Sequence, residues 1–370
     1  MPGAMPTAPQ FQSIEQRVER FRAYYRRAND RPLLGFFVGS DYPLRRYRAS
    51  DTLPDDRPLR PDDFDVRPYL DDCDRLFDAH EACGGDFIWS ASAFWGIPWL
   101  EAAIGCPILA DHATGSIRSE PPPGFAGPAD IPPFDAQSPW MRKAVEFLDR
   151  MAEHSSGRWP LGTTRMRGIA DLLSALYGPT GFVYAMIDRP AEVREACRRL
   201  ADIWIEFARL QLRHIPLFHG GIGSFYYNMW VPAGTVWHQE DAAALLSPEL
   251  YDAFIREHDR RIAESFEGCI MHQHPTAFVP TDFYLDMPFT ALEMHIDEGG
   301  PRADALYETH RKILARKPLL IWGNLSESDM EWILTRLPGA GLAVMTVVDD
   351  PAAAADIWRR HIGQTAPPAP

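Results

Sequence analysis

Short apolar runs alternating with amphipathic stretches organise most of this chain. IEQRVERFRAYYRRA (14–28) carries apolar residues at helical spacing, and after Arg31-Pro32 the run LLGFFVG (33–39) reads as a buried strand. Further apolar runs at 86–93, 158–166, 220–230, 268–274, 291–297, 318–324 and 341–348 bring the expected strands to eight. Between them lie helical patterns such as 191–215, 302–317 and 247–266, where Ser247 takes the N-cap and Pro248 the first helical position. Eight apolar strands alternating with helices predict an α/β fold, a parallel (β/α)8 TIM barrel, with a doubly wound sheet as the alternative. The Pro-rich stretch 119–139 falls between the second and third strands, so the pattern gives one domain over 13–363 with an N-terminal helix and an insertion near 100–140. Residues 1–12 are expected to be disordered and 364–370 to form a loose tail.

Composition narrows the function classes. With 370 residues and 46% hydrophobic content the chain can bury a large core, and its net charge of −14 comes with scattered basic residues, which argues against nucleic acid as a partner. Five cysteines (Cys73, Cys83, Cys106, Cys197, Cys269) form no CxxC pair and are odd in number, as expected of reduced thiols in the cytoplasm. The N-terminal stretch has no signal-peptide pattern, and no window approaches the roughly 20 apolar residues of a membrane span. The expectation is a cytoplasmic protein with no membrane partner.

In a barrel the chemistry sits where strands end, so polar residues terminating apolar runs are the candidates. CIMHQHPTA (269–277) places His272 and His274 two apart, and period-two alternation turns both to one face. The next strand reads Glu293-Met294-His295-Ile296-Asp297, so Glu293, His295 and Asp297 would share the barrel face. Neighbouring parallel strands lie about 4.8 Å apart, close enough for imidazoles from both to meet one ion. His272, His274 and His295 are therefore the candidate metal ligands, with zinc the best match among divalent ions. Glu293 or Asp297 would serve as ligand, base or orienting carboxylate. The plainer alternative is a hydrogen-bonded polar network at the mouth. His238, in VWHQED, is a reserve ligand and is otherwise expected at the surface. Arg165 and Arg167 follow the third strand and could clamp a carboxylate or phosphate, or pair with neighbouring acids. Tyr226, Tyr227, Asn228 and Trp230 end the fourth, and Trp95 follows the second with Phe94 and Trp99. Tyr227 is a candidate catalytic group; Arg165, Arg167, Tyr226, Asn228 and Trp95 are candidate substrate contacts. Asp41 and Tyr42 end the first strand. Phosphate-loop, dinucleotide and serine-elbow motifs are absent, and Cys269 faces away from His272 by parity.

From residue 31 to 362 the chain resembles the uroporphyrinogen decarboxylase superfamily, which includes cobalamin- and thiol-linked methyltransferases. The resemblance rests on RPLLGFFVGSDYPLRRY, GGDFIWSASAFWGIPWLEAAIGCPI, LGTTRMRGIADLLSALYG followed by DRPAEV, LLSPELYDAF and WGNLSESDM, in that order. The decarboxylases' first-loop arginines are replaced by VGSDYP, their aspartate falls on Ala93 and their tyrosine on Ser174. The methyltransferases hold zinc with a His-X-Cys pair and a later cysteine; here His272 and His274 stand at the pair, and Met345, Thr346 and Val347 occupy the later region. The resemblance implies methyl transfer to or from a small anionic or aromatic substrate, with a divalent metal. It also implies a corrinoid or folate as methyl carrier, and a corrinoid protein or a second copy in a homodimer as partners. A metal-free decarboxylase or other lyase, and a non-catalytic binding protein, are the competing expectations.

Overall fold

The computed structural model describes residues 12–275 and 278–363. The expectations for residues 1–11 and 364–370 lie outside the described residues. The architecture is mixed α/β, with fourteen α-helices among the described residues and a six-stranded parallel sheet. The strands are β1 (Leu33–Val38), β2 (Ile108–Asp111), β3 (Ser116–Ser119), β4 (Gly221–Gly223), β5 (Trp230–Pro232), β6 (Thr235–Gln239), β7 (Gly268–Gln273), β8 (Ala291–Ile296), β9 (Leu319–Gly323) and β10 (Leu342–Val348). The large sheet runs β1-β10-β9-β8-β7-β6, every neighbouring pair parallel. Its strands are buried almost throughout, which explains why they read as continuous apolar runs and not as alternating ones. The pairs β2–β3 and β4–β5 are separate antiparallel hairpins.

Six strands form the regular ladder where eight were expected. The runs at 86–93 and 158–166 meet at one parallel bridge, Ala91 to Leu161, and Arg167 bridges Gln239 of β6. Single backbone bonds complete the connections: Asp86 N–H donates to Leu34 O at 2.9 Å, Gly162 N–H to Ala91 O at 2.9 Å, and Gly223 N–H to Leu161 O at 2.7 Å. The arrangement is consistent with a TIM-like α/β fold. Two features keep these segments from forming ladders. Pro160 supplies no N–H, and the chains approach so closely that a Cβ on Gly162 would lie 2.4 Å from Gly223 O.

The run at 220–230 is not one strand. It breaks into β4 and β5 around a turn in which Tyr226 (φ 56°) and Asn228 (φ 50°) adopt left-handed backbone conformations. Thr235–Gln239 takes the place in the sheet instead, which corrects the expectation for His238: it is fully buried on β6, 2.9 Å from Asp259 Oδ1. The helices follow their sequence signals more closely. Ser13 and Gln16 form a capping box ahead of helix Ile14–Tyr25, and the 191–215 pattern becomes helix Pro190–His214. The 247–266 pattern begins as expected, with Ser247 Oγ accepting from Leu250 N–H, but divides at Ile255 into Pro248–Phe254 and Arg256–Glu264. The 302–317 pattern shortens to Tyr307–Leu314.

One contiguous apolar cluster runs from Val18 on the first helix to Trp358 on the last. All five cysteines are buried and free. No helix among the described residues is long and apolar enough to cross a membrane.

Within this core His310 is fully buried, and neither ring nitrogen has a hydrogen-bond partner among the described residues. Burial pushes its pKa down from 6.5 to about 4. The unfolded chain therefore binds the proton first as pH falls. The His310 contribution to stability is fully present above pH 6.5 and is lost progressively between 6.5 and about 4, by about 3 kcal/mol in total. His310→Leu is expected to show a smaller loss of stability than wild type across that window in denaturant titrations, and parallel curves for the two proteins would refute the assignment.

Candidate active site

Register and turn geometry bring the functional side chains together. His272 on β7 and Glu293 on β8 are direct register partners, so their side chains project from neighbouring strands to the same side. Glu293 is fully buried and its Oε2 lies against His272 Nδ1, with the Tyr227 hydroxyl 2.9 Å from the same nitrogen. Tyr227 is fixed in turn by stacking on Trp237 of β6, ring centroids 4.0 Å apart and planes 9° from parallel. Two residues after His272, His274 turns the same way. Its Nδ1 sits 2.8 and 2.9 Å from the two oxygens of Asp297.

Both imidazoles thus have Nδ1 engaged by a carboxylate and Nε2 directed elsewhere. The two Nε2 atoms lie 2.9 Å apart. Asp241, just beyond the end of β6, places Oδ1 at 3.6 Å from His272 Nε2 and 3.9 Å from His274 Nε2. That oxygen is buried and has no hydrogen-bond partner among the described residues. Donor atoms around a tetrahedral ion at about 2.0–2.1 Å stand roughly 3.3 Å from one another, so this triad has the spacing of a cation site. The engaged Nδ1 atoms match the carboxylate–histidine arrangement that orients metal-binding imidazoles.

His295 lies beside this triad. Its ring stacks on His274 with centroids 4.9 Å apart, touches Trp322 at 4.3 Å, and places Nε2 3.8 Å from Asp297 Oδ1. With His274 and Asp297 it makes a second group of ligand-type atoms. A third, His238 with Glu240 and Asp259, is buried behind the sheet, closed by the Tyr251 hydroxyl bond to Asp259.

Electrostatics separates the imidazoles. Burial acts against charge on His272, but the Glu293 carboxylate outweighs it and lifts the pKa to about 9. His295 is pushed down to about 3 by burial, reinforced by His272 and His274. Burial raises Glu293 and would raise Asp241; for Asp241 the neighbouring imidazoles prevail and hold it below its ordinary range. Tyr227 is driven far above its ordinary range, first by burial and then by Glu293, and stays protonated.

These groups line or underlie a cavity of about 500 Å³ bounded by Trp95, Arg165, Phe225, Tyr226, Tyr227, Gln239, Trp322 and Asn324, with Asp41 and Tyr42 at its rim. Among the residues expected from sequence, His272, His274, His295, Asp297, Tyr226, Tyr227, Trp95 and Arg165 all reach this cavity, and Glu293 sits beneath His272. Arg167 and Asn228 do not line it. Arg167 is taken by Glu101 at 3.0 Å and Asp171 at 3.6 Å, and the Asn228 side chain turns to Ser90 N–H. Asp241 is the residue that sequence reasoning missed. Its signal was available in VWHQED, where acids follow a short strand, but the strand itself went unrecognised.

No protein-family model matches the chain, and no curated protein does. Among solved structures it is similar to a methyltransferase from Methanosarcina mazei, at 15% identity and a TM-score of 0.57, over 92% of this chain and 95% of that one. A GH26 beta-mannanase from Bacteroides ovatus aligns over 94% and 93% at 9% identity, with a TM-score of 0.36.

The buried His272–Glu293 pair yields a stability test independent of any ligand. Glu293→Ala removes one partner and strands the other, and is expected to destabilise the protein by about 3 kcal/mol or more. The double replacement His272→Leu, Glu293→Leu should recover much of that loss in equilibrium unfolding with chelator present. A double variant no more stable than Glu293→Ala would show that the pair is not what couples the two strands.

Proposed function

We propose that the cavity is the active site of a metal-dependent enzyme that transfers a methyl group to or from a small molecule. The observation that carries the reading is the Asp241–His272–His274 triad, whose ligand-type atoms converge while the opposite ring nitrogens are held by Glu293 and Asp297. Methyl transfer is supported by the fold shared with the Methanosarcina mazei methyltransferase and by the resemblance to the uroporphyrinogen decarboxylase superfamily. The bridges joining residues 86–91 and 159–167 to the six-stranded sheet support reading that fold as a (β/α)8 barrel.

In this reading Asp241, His272 and His274 hold the ion, with His295 and Asp297 alongside. Two imidazoles and one carboxylate suit zinc. When bound, the ion would supply Lewis acidity to a substrate heteroatom or would lower the pKa of a nucleophile beside it. The chain's own groups do the positioning. Glu293 and Tyr227 fix the tautomer and plane of His272, Asp297 fixes those of His274, and the Trp237 and Trp322 rings keep water from the flanks. Glu293 and Asp297 thereby act as orienting carboxylates, and Tyr227 as a proton-bearing clamp. A corrinoid or a folate is taken as methyl carrier on the family resemblance alone. A metal-free lyase draws less support, because Arg167, one of the two arginines it would use, is committed to Glu101 and Asp171.

Metal analysis of the purified protein is expected to find about one divalent ion per chain, and the double variant His272→Ala, His274→Ala should lose it. Asp241→Asn should weaken metal binding, and Asp297→Asn, acting through His274, should weaken it about 10–100-fold. Equal metal content in wild type and the double histidine variant would refute the proposal.

A further inference from the structure

Arg165 is set apart by its position in the cavity wall. It is the only arginine or lysine lining it, and no carboxylate lies within ion-pair distance of its guanidinium among the described residues. Among the described residues its one hydrogen bond is a long one, 3.4 Å to Gly96 O, and its buried Nε has no partner. Burial, reinforced by the like charge of Arg167, pushes its pKa down. Arg167, two residues on, has both Glu101 and Asp171. Arg165 is half-buried, and a guanidinium whose Nε is buried without an acceptor while its other donors face the cavity is stabilised by a ligand that supplies one; its planar fork matches a carboxylate.

Beside that fork a wall of rings leads toward the imidazoles. Gly96, whose carbonyl holds Arg165, follows Trp95; Trp95 meets Tyr226 at 5.1 Å, Tyr226 meets Trp322 at 5.0 Å, and Trp322 meets His295 at 4.3 Å. Trp95 and Trp322 are buried, so the wall is rigid. The cavity's acids do not reverse the argument for an anion. Asp41 and Glu298 are exposed at the rim, where water screens them, while Asp241 and Asp297 face His272 and His274. A ligand entering here meets an unpaired cation at one end, aromatic faces along its length and imidazoles at the other end. We infer that the cavity takes a flat aromatic monocarboxylate, its carboxylate on Arg165, its ring along Tyr226 and Trp322, and its opposite substituent toward the His272–His274 pair. Its volume of about 500 Å³ falls within the range of small-molecule sites.

This inference rests on the cavity being the active site, but binding can be read without turnover and without metal. The probes are 4-methoxybenzoate, the neutral 4-methoxybenzamide, the non-aromatic cyclohexanecarboxylate, and choline as a cation, each titrated calorimetrically into the full chain with and without chelator. Wild type should bind 4-methoxybenzoate at least tenfold more tightly than any of the other three. Arg165→Gln should lose about tenfold or more for the acid and leave the amide unchanged, and Arg165→Lys should restore part of that loss. Acid and amide binding alike, choline binding best, or no binding by wild type would overturn the inference, and these ligand comparisons need no variant to fold. Acid binding by a protein that proves to bind no metal would uphold this inference and defeat the metal-dependent reading; metal binding without acid binding would do the reverse.

Discussion

The site depends on one buried contact between neighbouring strands. His272 and Glu293 are register partners, so the pairing of β7 with β8 decides whether imidazole and carboxylate meet. A slip of one residue would turn every side chain of a strand to its other face, separating this pair and with it His274 from Asp297. The carboxylate is buried with Oε1 lacking any partner among the described residues, and such a group is retained at a loss of stability unless function holds it there. The cavity wall holds further groups of this kind, Asp241 Oδ1 and Arg165 Nε. Two left-handed residues, Tyr226 and Asn228, flank Tyr227 in the same region. At this cavity, unsatisfied buried polar atoms and unusual backbone occur side by side, as is expected of a working surface.

Asp241 reaches the imidazoles through a second device, a reciprocal cap between β6 and the helix Ile169–Tyr177. Glu240 accepts from the N–H groups of Ile169 at 2.5 Å and Ala170 at 2.8 Å, at the helix's first turn. In the opposite direction Asp171 accepts from Ala242 N–H at 2.7 Å. The backbone on both sides of Asp241 is thereby tied to the helix start. Glu240 is raised far above its ordinary pKa, first by burial and then by Asp259. Gly168 completes the junction, since a Cβ there would lie 2.2 Å from Gln239 O. The approach of helix to strand is thus set by a residue with no side chain.

What the sequence made legible follows from how local each signal is. β1 and β7 to β10 are apolar runs bounded by turn residues, and all five form as read. The His-X-His spacing and the polar face of β8 depend only on strand parity, so the convergence of His272, His274, Glu293 and Asp297 was also readable. Failures came where tertiary contact overrides pattern. TVWHQ is five residues with a buried histidine, and its polarity disguised a sheet strand whose His238 Nε2 meets Asp259 from a helix about twenty residues on. The run at 220–230 looked continuous because Tyr226 and Tyr227 extend its aromatic pattern; Asn228, of a type enriched in left-handed turns, was its one local sign of a break. Arg165 and Arg167 carry the same side chain at adjacent parity positions, and only the placement of Glu101 and Asp171 distinguishes them.

That last distinction connects the fold to the chemistry. Glu101 and Asp171 are both buried, and by pairing with Arg167 they anchor the β6 junction while leaving Arg165 without a direct ion pair among the described residues. Had the two acids faced Arg165 instead, the cavity would present only acids, imidazoles and rings, a surface better matched to a cation. Placed as they are, they leave Arg165 open to the cavity beside the rings of Trp95, Tyr226 and Trp322. On the proposed reading, a ligand held at Arg165 would be directed by these rings toward the triad, so the packing around the cavity would also set the orientation of whatever enters it.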